Sequence, residues 1–103
     1  MMEGRPMKFR LLEVFGEGER WNCEVIPEMQ REYGMGDRYG ADTINFDIIE
    51  MATCGFLSRI DVKVDSEGLY REGSLLIRYR ITDLGRAQLE KIGKNLRKKG
   101  ARA

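Results

Sequence analysis

The residues in this chain whose types and spacing could do chemistry are its arginines and lysines. Arg78 and Arg80 stand two apart in SLLIRYRIT, so a strand would put both on one face. Arg71 sits in the glycine-bounded stretch DSEGLYREG, and Arg38 precedes Tyr39 in the glycine-rich GMGDRYGA. Arg86, Lys91, Lys94, Arg97, Lys98 and Lys99 crowd the closing stretch. Guanidinium and ammonium groups in such settings bind phosphate or carboxylate oxygens, which is anion recognition rather than bond-making. The residues for bond-making are missing. The chain has no histidine, which removes the commonest general base and any Cys/His zinc site. Cys23 and Cys54 lack CxxC spacing and read as reduced structural thiols. No glycine-rich loop joins a strand to a helix, and the acids are scattered without ligand spacing. The expectation is a protein that is not an enzyme, with no catalytic residues, metal or cofactor.

The formal net charge of +1 conceals a division. Residues 1–56 carry six Lys/Arg against eleven Asp/Glu, a net of −5, whereas residues 57–103 carry twelve against six, a net of +6. Such asymmetry suits a polyanion partner for the basic half, or else two solvated faces of opposite sign. With 103 residues, 42% hydrophobic and 34% charged, the chain reads as one soluble globular domain, 1–103. No apolar run approaches the roughly 18 residues of a membrane span, and MMEGRPMKFR lacks the apolar core of a signal peptide, so a cytoplasmic protein with no membrane association is expected.

The elements that must position the basic groups follow from periodicity. MKFRLLEVFG, with Met7, Leu11, Leu12, Val14 and Phe15 at near-helical spacing, predicts a first helix ending on Gly16. ERWN predicts a short extended piece. EVIPEMQREYG predicts a second helix that starts around Cys23 to Ile26, keeps Pro27 in its first turn, and stops at Gly34. Gly34 to Ala41 reads as a loop. A third helix then begins with Asp42 or Thr43 as N-cap, buries Ile44, Ile48 and Met51, and closes at Gly55. From Leu57 the period changes to two: Ile60, Val62 and Val64 alternate with Arg59, Asp61 and Lys63. Leu75, Ile77, Tyr79 and Ile81 likewise alternate with Leu76, Arg78 and Arg80, which predicts a hairpin with its tip at DSEGLYREG. Thr82 or Asp83 caps a last helix from about Leu84 to Lys99, closed by Gly100.

Helix, helix, turn, helix, strand, strand, helix is the order of a winged helix-turn-helix. Two motifs carry a closer resemblance: MATCGFL, Met51 to Leu57, where the third helix ends, and YRITDLG, Tyr79 to Gly85, where the hairpin returns. In these the chain resembles PadR-like and MarR-like transcriptional regulators over roughly residues 7 to 92. The resemblance implies an α+β fold with a three-helix core (about 7–82), a two-stranded β-hairpin wing and an additional C-terminal helix (about 83–99). It also implies double-stranded DNA as partner, a homodimer, and a third helix in the major groove, with Arg38, Tyr39, Thr43, Asn45, Phe46, Arg71, Arg78 and Arg80 as the DNA-binding set. Leu89, Ile92 and Leu96 form an i, i+3, i+7 stripe that could dock on the chain's own domain or pair with a second copy, and dimerisation is the favoured reading.

The outward side of the third helix, however, collects Asp42, Phe46, Glu50 and Thr53, flanked by Asp47 and Ile49: three acids and no base. Carboxylates facing a groove lined with phosphates oppose the sequence-independent part of affinity. The sequence therefore predicts a grip through hairpin and phosphate contacts. Its alternative is a winged-helix module that leaves DNA alone and engages a protein through Asp42, Phe46 and Glu50.

Overall fold

The structure is a computed structural model that describes residues 6–101, with side chains described through residue 94. Its order is α1 (Met7–Gly16), β1 (Arg20–Trp21), α2 (Asn22–Tyr33), α3 (Arg38–Thr53), β2 (Leu57–Val64), β3 (Leu75–Ile81) and α4 (Asp83–Ala101). The fold is a small α+β arrangement of four helices and one antiparallel sheet in the order β1-β3-β2. The sheet corrects the expected two-stranded hairpin. Arg20 pairs with Tyr79 and Trp21 with Arg78, so the short extended piece becomes a third strand on the far side of β3.

One apolar cluster joins α1, α2, α3 and the base of the hairpin, and the stripe Ile44, Ile48 and Met51 is buried in it as its spacing requires. Tyr79, fully buried, sets its ring edge-on to Phe15 at 5.9 Å between centroids. Thr82 makes the joint between β3 and α4. Its hydroxyl donates to the Gly55 carbonyl (2.6 Å) and accepts from the Gly85 N–H (3.0 Å), capping α4 while tying it to the end of α3. Gly85 is needed for close approach, because a Cβ there would lie 2.3 Å from the Phe56 carbonyl oxygen.

Three boundaries and one face differ from expectation. α3 starts at Arg38, because Asp37 rather than Asp42 or Thr43 is the N-cap and accepts from the Gly40 N–H at 2.7 Å. The glycine that suggested a loop is inside the helix, since a Cβ at position 40 would meet the Met35 carbonyl oxygen at 2.3 Å. α2 starts at Asn22, which moves Pro27 out of the first turn into the next one. There its missing N–H removes the i→i−4 bond that the Cys23 carbonyl would otherwise receive. α4 continues to Ala101, through the glycine expected to stop it.

The alternation in the hairpin fails at its far end. Leu76, expected outside, is buried, while Val62, Val64 and Leu75 are half or more exposed. Val64 pairs with Leu75 and Val62 with Ile77, so these residues share one side of the ladder, and that side is left open to solvent at Val62, Val64 and Leu75. A β-bulge at Ile60, between the Arg59 and Asp61 pairings, adds a shift no periodicity could show.

Candidate functional site: the outer face of helix α3 and the hairpin tip

The outward stripe of α3 runs Tyr39, Thr43, Phe46, Glu50 and Thr53, spaced at three and four residues, with Tyr39, Phe46 and Thr53 exposed and Thr43 and Glu50 half-buried. Tyr39 and Phe46 are its most open members, 79% and 65% exposed. The Thr43 hydroxyl is turned back to the Tyr39 carbonyl at 2.9 Å, and the Thr53 hydroxyl to that of Ile49 at 3.0 Å. Arg38 stands exposed in the first turn and makes no ion pair among the described residues.

The carboxylates beside this stripe are engaged. Glu50 pairs with Lys8 of α1. Asp42 accepts on its Oδ1 from both the Tyr70 hydroxyl and Arg71 Nη2, each at 2.6 Å. The Tyr70 hydrogen bond first, and then the Arg71 guanidinium, hold the Asp42 carboxyl below the usual carboxylate range. Asp47, the third acid, is half-buried, and burial pushes its pKa up against the pull of Lys8. The excess of negative charge read from the sequence is thus compensated at Asp42 and Glu50 by cations from α1 and from the hairpin.

A second carboxylate sets Tyr70 and Arg71 in place. Asp65 closes β2 and is only 1% exposed. Its side chain accepts from the N–H groups of Leu69, Tyr70 and Arg71, each at 2.8 Å, as an aspartate at the head of a turn does. Burial works to raise the Asp65 pKa, but the backbone donors outweigh it and the net direction is down. Backbone bonds from Asp65 N–H to the Ser74 carbonyl and from Gly73 N–H to the Asp65 carbonyl, each 2.8 Å, close the tip. Arg71 also lies 5.4 Å over the Tyr70 ring.

The residues expected to act together are therefore divided. Arg38, Tyr39, Thr43, Phe46 and Arg71 gather at α3 and the hairpin tip. Asn45 turns inward and accepts from the Asn22 amide at 3.3 Å. Arg78 and Arg80 alternate with the buried Ile77, Tyr79 and Ile81, so they point from the sheet face away from the core, where both reach Glu19. Leu89 and Ile92 pack on the domain's own core as partly buried residues, and Leu96 lies outside the described side chains. Sequence reasoning missed Asp65, Tyr70, Lys8 and Glu19. The Asp-Ser-Glu-Gly start of the tip carries a turn signal that could have marked Asp65; nothing local announces the other three.

No helix among the described residues is long and apolar enough to cross a membrane, and among the same residues no group of three or more His, Cys, Asp or Glu is placed to hold a metal ion. No protein-family model, curated protein or solved structure matches the chain.

Proposed function

We propose that the chain is a winged helix-turn-helix protein that binds duplex DNA as a transcriptional regulator, with α3 in the major groove and the β2–β3 hairpin as the wing beside it. The observation that carries this reading is the compensation of Asp42 by Arg71 and of Glu50 by Lys8. In the free protein it offsets two of the three acids on and beside the outward stripe of α3, which the cation Arg38 leads, and so reduces the repulsion of phosphates. A titration of a mixed-sequence duplex by fluorescence anisotropy at several salt concentrations tests it. Affinity is expected to fall steeply with salt, and Arg38→Ala to flatten the slope by about one unit. Absence of binding at low salt rules the reading out.

A second reading has its own support in the exposure of Tyr39 and Phe46 on one helix face, since aromatic side chains are enriched at protein interfaces. In that case the same face docks a protein. Tyr39→Ala and Phe46→Ala then leave duplex affinity at the level of the unaltered chain in the same titration; a marked loss argues for the groove.

A further inference from the structure

We infer that the Tyr70 hydroxyl and the Arg71 guanidinium form an anion site at the hairpin tip, that the chain's own Asp42 carboxylate fills it in the free protein, and that a DNA backbone phosphate competes with Asp42 for it. The part concerning DNA rests on the function proposed above.

Two donors converge on one oxygen, Asp42 Oδ1, at 2.6 Å each, the arrangement in which a phosphate oxygen would be held. The donors are built to stay together. Adjacent in sequence, they are fixed by the N–H groups that Tyr70 and Arg71 give to Asp65, whose burial keeps that turn closed without help from Asp42. Asp42 is the removable component. It belongs to another element, it is partly open to solvent, and its bond to Arg71 is of the exposed kind that contributes little. Arg38 adds a further positive field at the same carboxylate, so an incoming anion would meet three groups that favour it. Arg71 also keeps donor capacity in reserve, since its Nε is buried without a hydrogen-bond partner. Asp42 thereby acts as an internal competitor that lowers nonspecific affinity for polyanions and holds the hairpin against α3 until a phosphate takes its place.

The test is a double-mutant cycle on duplex affinity at low salt. Asp42→Asn keeps the shape and removes the competing charge, and it is expected to tighten binding about two- to five-fold, the value of an exposed ion pair converted to a ratio. The gain disappears in Asp42→Asn/Arg71→Ala if it runs through this site. A binding constant that is unchanged or weaker in Asp42→Asn overturns the inference, because the carboxylate then serves only to orient the hairpin. Asp42→Ser, checked by thermal melting, replaces Asp42→Asn if that variant does not fold. If the unaltered chain binds no duplex, the proposed function fails separately. The anion site is then decided with inorganic phosphate, by following the Arg71 Nε–H signal in NMR spectra of Asp42→Asn. A saturable shift supports the site, and a signal that does not move overturns it.

Discussion

The two ends of the β2–β3 hairpin are held by different forces. At the base, Leu57, Ile77, Tyr79 and Ile81 are buried among three helices, and Thr82 with Gly85 locks the return into α4. At the tip, Val64 and Leu75 face solvent, and the loop keeps its shape through a buried carboxylate and two donors laid on α3. The base is held by area removed from water, which salt and mild acid hardly touch. At the tip, charge and hydrogen bonds act beside the packing of the Tyr70 ring on the core, and these polar contacts respond to both. A segment secured in the second way is suited to change partners.

The largest effect is expected at the base. Tyr79→Ala is expected to destabilise the domain by about 3–5 kcal/mol, the range for a large buried aromatic, whereas Val64→Ala at the tip should stay within about 0.5 kcal/mol. Urea denaturation of both variants measures the contrast, and equal losses would mean that the tip belongs to the core.

A smaller effect, still at the base, is expected from Gly85→Ala. The new methyl meets the Phe56 carbonyl oxygen at 2.3 Å and Ile81 Cγ1 at 2.8 Å. That carbonyl also accepts from the Thr82 N–H at 3.0 Å, so it has little freedom to retreat. A loss of about 1–3 kcal/mol in the same denaturation experiment follows from overpacking. No change would show that α4 is free to lift from the hairpin.

The mildest effect belongs to the tip and is local. Because the folded-state pKa of Asp65 is lowered, its contribution is fully present above the ordinary carboxylate value of about 3.9 and is lost as pH falls through the lowered one. Hydrogen exchange should then show the Leu69, Tyr70 and Arg71 amides losing protection in acid before those of β3 next to the core. Asp65→Asn should remove that pH dependence. Loss of protection at the same pH throughout the hairpin would erase the distinction between its ends.

Where apolar periodicity carried the information, the fold was legible in the residues alone. Ile44, Ile48 and Met51 marked the buried side of α3, the change of period at Leu57 marked the hairpin, and Thr82 with Gly85 marked its joint to α4. These features are local, because spacing along the chain determines which side chains share a face and capping chemistry determines where helices begin. The start of α3 was hidden by Gly40, whose role is a close contact with Met35 rather than a turn. The exposure of Val62 and Val64 was hidden too, since a strand's pattern does not reveal which parts of its apolar face the rest of the fold covers.

The site was legible in part. Phe46 could be placed on the exposed face of α3 from spacing, but Arg38 and Tyr39 were expected in a loop before that helix, and the charge these residues work beside could not be read. Asp42 meets Arg71 across 29 positions, Lys8 meets Glu50 across 42 and Glu19 meets Arg78 across 59. The sequence by itself determined the elements and the overall charge of each half, −5 and +6. Only the tertiary structure decided which charges cancel, because Coulomb attraction depends on distance in space and a linear chain does not specify that distance until the core has formed.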